Sequence, residues 1–316
     1  MKTLENLKWS PKWVSHLGCL KGCLDYLGLE ISDAWLYGGT GHAFIINMAT
    51  DICPSGPTAW KTEMLFELSN NLGYEFDAVF GWKSDQGFYD LQKRAWEFSK
   101  EVIDHDQPAY GWELDVPEFY VIYGYDDSNY IYRHFDNAKG FKPWQELGDT
   151  GIGLIELYSV KPTQALEDWI IVKSAFQSVL KHAGNPEDWI LENYASGVKG
   201  FDIWIKALES GTADRFGMGY NTEVWAECRK YAVEFLHEAK TRLVGKADTL
   251  FDEGRNHYQI VADRLSQVSQ IYPFQRMEGI KITRDEKCQS AINLLKEARA
   301  AESAGLKVLE HIASEL

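Results

Sequence analysis

Cys19 and His42 are the residues of this chain whose types and spacing carry the most chemistry. A thiol in the first turns of a helix gains from the helix dipole and the free N–H groups, which favour the thiolate. A histidine brought up by a neighbouring strand supplies the base that such a nucleophile needs. Cys23 follows one helical turn after Cys19 and reads as packing. His16, at the helix start, is either a partner of the thiol or an exposed capping residue. The stretch YGGTGH places Gly38, Gly39 and Gly41 before His42, where glycine permits a positive φ and close approach of backbone to a bound group. Each residue also has a plain reading: a small buried thiol, a turn before a strand, a satisfied core histidine. Cys19, His42 and Cys53 lack the paired C-x-x-C spacing of a metal site, so neither metal nor cofactor is expected.

The elements that must position these residues follow from the hydrophobic pattern. Ser15 is a candidate N-cap, and Leu17, Leu20, Leu24 and Leu27 have the spacing of a buried helical face that ends at Gly28. A strand is expected over 43–47, a loop over 51–57 and a helix over 58–72. A strand at 74–80 and an amphipathic helix at 87–103 come next. Strands at 108–114, 118–124 and 129–135 follow, the last two joined by the turn GYDDSNY as an antiparallel hairpin. A strand at 153–160 closes this half. From Thr163 helical periodicity takes over, with Asn185-Pro186 as one helix start and a Thr283/Glu286 capping box as another. The fold class is therefore α+β: a domain over 1–162 with an antiparallel sheet, then an all-α helical bundle over 163–316.

Composition narrows the partners. The chain has 316 residues, 45% of them hydrophobic and 14% aromatic, enough for real cores. Its net charge of −15 argues against nucleic acid, which needs a basic footprint. No apolar run is long enough to span a membrane. Five cysteines without a framework spacing fit a reducing cytoplasm. A homodimer through the helical half is expected only on general frequency. In that half Tyr194, Asp202, Tyr220, Asn221, Arg229 and His257 are the polar residues available to a ligand.

The helix ending YLGLEIS, the glycine-rich segment, the strand at Pro108, the hairpin PEFYVIYGYDDSNYIYRHFD and the closing ELYSVKP together resemble a known family. Over about residues 10–162 the chain is similar to the butirosin biosynthesis protein H N-terminal-like family. That family has a papain-like fold and is related to bacteriocin-processing cysteine peptidases. The resemblance implies acyl chemistry: transfer of an acyl chain from a carrier-protein thioester to an amine, or cleavage of an amide by a Cys–His pair with an acidic orienter. In that register the family's cysteine falls at Ser15, with Cys19 one turn later. The histidine that opens the hairpin strand falls at Glu118, and the later acidic position falls near His134 or Asp136. Glu118 reads equally as a surface carboxylate at a strand end, whereas His134 and Asp136 read first as polar residues at strand ends and only second as pocket lining.

Two functions follow as expectations. One is a thiol-dependent acyltransferase or amide-processing enzyme, with Cys19, His42 and Glu118 as nucleophile, base and orienter and a cleft expected between the papain-like and helical domains. Ser15, His16, Gly38, Gly39, Gly41, His134 and Asp136 would then line the substrate site, for a small-molecule or peptidic substrate or an acyl-carrier thioester. The other is a non-catalytic small-molecule or peptide-binding protein on a degenerate cysteine-peptidase scaffold.

Overall fold

From residue 74 onward the chain alternates short apolar runs with turn residues, and in the computed structural model these runs pair edge to edge as antiparallel strands. The structure describes all residues except 62–63, 134, 185 and 276–278. In chain order the first elements are β1 (Lys2–Thr3), α1 (Ser15–Tyr26), α2 (Asp33–Gly39), β2 (Asn47–Ala49) and α3 (Met64–Leu72). They continue as β3 (Tyr74–Trp82), α4 (Phe88–Asp104), β4 (Ala109–Trp112), β5 (Phe119–Tyr125), β6 (Asn129–Arg133), β7 (Lys139–Pro143) and β8 (Leu154–Pro162). The helical part holds α5 (Asp168–Gly184), α6 (Pro186–Trp189), β9 (Tyr194–Ser196), α7 (Gly197–Ser210), α8 (Arg215–Arg242), α9 (Asp248–Ile271) and α10 (Glu286–Glu315). The protein is thus of mixed α and β structure, with an antiparallel sheet and a helical C-terminal region.

The chain forms two compact units, and each is discontinuous. The first contains Met1–Ser32 and Gly73–Ala165. The second contains Asp33–Leu72 and Leu166–Leu316, so residues 33–72, expected in the first domain, belong with the helices. Segment 33–72 joins them because its apolar residues pack there. Phe44 meets Phe176, Phe235 and Tyr258 edge-on, and Trp35 lies against Phe235.

In the first unit the sheet order is β3-β8-β4-β5-β6-β7, with β1 added beside β5. Strand β7 has no counterpart in the sequence expectation. The β5–β6 turn is closed by Asp126, whose carboxylate accepts from the backbone N–H groups of Ser128 and Asn129 at 2.9 and 2.8 Å. Side chains alternate faces along a strand. Gly81 faces α4 through Leu91, so Ala78, Phe80 and Trp82 share the opposite face, where α1 lies. The lead-in before α1 is fastened to the hairpin by Asn137. Its amide accepts from Trp9 N–H at 2.8 Å and donates to Trp9 C=O at 3.0 Å. Arg133 adds a bond to Leu7 C=O at 2.8 Å.

In the second unit the long helices α8, α9 and α10 pack together, and β2 pairs with β9. Asp214 caps α8 by accepting from Phe216 and Gly217 N–H. The cap of α10 is Asp285, accepting from Cys288 N–H at 2.9 Å, and not Thr283: two residues later along the chain, a carboxylate meets the free amide. Asn185, expected as the cap of α6, lies outside the described residues. The core holds a fully buried ion pair, Arg229 with Glu302, bonded twice at 2.8 Å. The same guanidinium donates to Ala43 C=O at 3.0 Å and Ile45 C=O at 2.8 Å. Arg229, which the sequence offered as a ligand contact, is thus spent on structure.

Removing one partner of a buried pair leaves an uncompensated charge, so Glu302→Ala should lower unfolding free energy by about 3–5 kcal/mol. The double variant Arg229→Met/Glu302→Leu should recover only part of this, because two buried carbonyls each lose a donor worth about 1–3 kcal/mol. Urea titration of the three proteins checks both statements.

Candidate functional site

Ser15 begins α1, and Val14, in extended conformation, holds the N-cap position. The serine hydroxyl does not cap the helix. It donates to Glu118 Oε2 at 2.5 Å and accepts from Phe119 N–H at 3.1 Å. The residue is only 4% exposed, and its hydroxyl clips the start of α1 to the start of β5. Glu118 is half-buried, one residue before that strand. The hydroxyl has one proton to give, and the carboxylate receives it in a short, charge-assisted bond.

His16 points the other way, into the sheet. It is neither exposed nor capping: its ring is buried among Phe76, Tyr110, Phe119 and Tyr158, with centroids at 6.4, 5.3, 4.9 and 5.7 Å. Its Nε2 lies 3.4 Å from Tyr110 OH. Burial pushes the imidazole down to about 3, so it stays neutral at physiological pH.

Cys19 lies one turn on, with no exposed surface. Burial raises its pKa well above the usual thiol value, and Cys23 and Glu118 push in the same direction. An activated thiolate needs the opposite shift. Cys23 is likewise buried and raised by burial. The dipole of α1 is too weak to offset desolvation and a neighbouring carboxylate.

The remaining expected residues have contacts of their own. His42 belongs to the helical unit, whereas Cys19 and Glu118 belong to the sheet unit. It opens no strand; it sits in a turn before β2, buried, with Nδ1 at 3.0 Å from Thr40 Oγ1 and its ring edge-on to Trp60. Gly38 and Gly39 lie within α2 and not in a loop. A Cβ at Gly38 would stand 2.0 Å from the Phe235 ring, and one at Gly39 would stand 2.6 Å from Leu72. Those glycines admit side chains of the unit's own core. Gly41 does have the left-handed φ of 79° expected of the turn. Asp136 is exposed and closes the β6–β7 turn by accepting from Ala138 N–H at 2.9 Å. His134 lies outside the described residues.

Sequence reasoning passed over several residues near α1. Glu156, on β8, is nine-tenths buried and accepts the Tyr158 hydroxyl in a short bond. Burial pushes its carboxyl up to about 7, against the pull of that bond. In register it stands opposite Phe80. Trp112 is buried against Phe119, and its indole N–H has no partner among the described residues. An acid inside an apolar strand was the available signal for Glu156.

Among the described residues no group of three or more His, Cys, Asp or Glu could hold a metal ion, and no helix is long and apolar enough to cross a membrane. No protein-family model matches the chain, and no curated protein matches it.

Burial of the histidines makes acid their weak direction for stability. Folded His16 stays neutral down to about 3, whereas unfolded histidine takes up a proton near 6.5. Between those values the unfolded chain binds more protons, so stability falls as pH drops, by up to about 1.4 kcal/mol per pH unit from this residue. His182 in the helical unit, pushed by burial down to about 4, acts in the same sense. Glu156 acts in the opposite sense: its folded carboxyl, pushed up to about 7, takes up a proton before the unfolded one does near 4.3, so between those values it adds stability as pH drops. Relative to the native chain, His16→Leu should therefore lose less urea-midpoint stability, or gain some, between pH 7 and 4.

Proposed function

We propose that the protein is a small-molecule or peptide-binding protein built on a papain-like scaffold whose catalytic position has been converted into a structural clip. The observation that carries this reading is the bonding of Ser15. At the place that corresponds to the nucleophile in the family the sequence resembles, the hydroxyl is engaged on both sides, by Glu118 and by Phe119 N–H. The place of the general base holds Glu118, a carboxylate. The thiol one turn away, Cys19, is buried and protonated. His42 is held in the other unit by contacts of its own.

One observation favours a second reading. The 2.5 Å bond from Ser15 to Glu118 also has the form of an alcohol nucleophile with a carboxylate base. In that chemistry the Ser15 oxygen attacks an acyl carbonyl, Glu118 takes its proton, and the leaving group departs with that proton. The backbone N–H groups opening α1 would face the developing oxyanion.

Peptide-resolved labelling of the native chain separates the readings. With iodoacetamide at pH 8, half-exposed Cys53 should react first, and Cys19 at least about tenfold more slowly. A fluorophosphonate should leave Ser15 unmodified. A Ser15 adduct that disappears in Glu118→Gln would establish the acyl-enzyme reading instead. Fast native labelling of Cys19, with an apparent pKa below the ordinary thiol value, would restore the thiol enzyme.

A further inference from the structure

Two large rings stand open on the sheet unit. Phe80 is 54% exposed and Trp82 is 41% exposed, on the edge strand β3. Their centroids are 6.0 Å apart and their planes meet at 88°. Both point to the face that carries α1, since Gly81 between them meets α4. Directly across from Phe80 in the β3–β8 register is Glu156, and across from Trp82 is Leu154. Two perpendicular exposed rings make an open corner, and a nine-tenths-buried carboxyl lies across the ladder from one of them.

We infer that Phe80, Trp82 and Glu156 form a recognition site for a methylated ammonium group. This deepens the binding-protein reading, on which it rests, by naming the class of its ligand. Electrostatics selects a cation: ring quadrupoles attract positive charge, and the carboxylate adds to that field. Hydrogen-bonding capacity selects the methylated form. A primary ammonium brings three strongly hydrated donors, and the exposed faces of Phe80 and Trp82 offer no acceptors to replace the water it would lose. A quaternary or tertiary ammonium spreads its charge over apolar methyl groups and asks for ring faces. The chain's net charge of −15 favours the approach of such a ligand.

The probe is choline, with 3,3-dimethylbutanol as its neutral isostere, titrated into the full-length chain while the Trp82 indole N–H is followed by NMR. Trp82→Phe assigns the signal. Choline should shift it saturably, and the neutral isostere should bind at least about fivefold more weakly. Because both rings are exposed, Phe80→Ala and Trp82→Ala should fold with unchanged melting and lose choline binding at least about fivefold, read for Trp82→Ala by calorimetry. Glu156→Gln keeps a partner for Tyr158 and should weaken choline while leaving the isostere unchanged. Equal binding of the two probes, or no saturable shift, overturns the proposal. Either result, with Cys19 and Ser15 still unlabelled, rejects the ammonium class alone. A fluorophosphonate adduct on Ser15 rejects the binding-protein reading whatever choline does.

Discussion

The helical unit depends on one interaction, the ion pair of Arg229 with Glu302. Placing two charges out of contact with water is costly unless every polar hydrogen and lone pair is used. Here the carboxylate takes two bonds from the guanidinium, and a third nitrogen binds the carbonyls of Ala43 and Ile45. The pair therefore ties α8 and α10 to a segment that has no regular structure of its own. Without donors those carbonyls would be buried and unsatisfied, which is the reason loops normally stay at the surface. The segment expected in the first domain is thus fixed by chemistry supplied 186 residues later. His42, next to Ala43, goes with it. Its position follows from the clamp, and its bond to Thr40 and contact with Trp60 complete an ordinary buried histidine.

The sheet unit has its own fastening, with different consequences. Ser15 and Glu118 join the start of α1 to the start of β5 through a bond whose donor and acceptor are both spent locally. This geometry also explains the state of Cys19. A helix start can lower a thiol pKa only where water or a cation shares the site. Here His16 is neutral within its four rings, and Glu118, which acts on Cys19, has the wrong sign of charge to help. Among the described residues of this unit, none of the charges acting on Cys19 favours its thiolate.

Local chemistry was legible in the sequence; partnership over distance was not. The helix from Ser15, its stop at Gly28 with φ 72°, and the hairpin around Asp126 were all written in short-range signals. Gly38 and Gly39 misled because a helix packed closely on Phe235 and Leu72 selects glycine for the same reason a ligand loop does: something comes within reach of the missing Cβ. The strand expected at 43–47 failed because AFIIN is apolar for a helical core, and periodicity cannot distinguish that from a sheet. Strand β7, with Lys139, Gly140 and Lys142 among its five residues, carries no apolar alternation and is held by its pairing with β6. Arg229 looked like any helical cation until Glu302, 73 positions away, was seen beside it.

The open corner on β3 follows from the dimensions of α1. A helix of 12 residues is about 18 Å long. It packs on β4, β5 and β8, and His16 takes up Phe76, Tyr110, Phe119 and Tyr158 at one level of the sheet. Phe80 and Trp82, four and six residues beyond Phe76 on the same face, lie past that cover. An edge strand ordinarily carries charge at such positions to discourage association. This one carries charge at Glu75 and Asp77 and aromatic rings at the far end. Rings left in water cost free energy that a lysine or a threonine would not. A buried acid directly across the ladder from one of them adds a second cost. A soft cation in that corner, as proposed, would lower the first cost by taking the rings out of water, and its charge would act on the acid across the ladder.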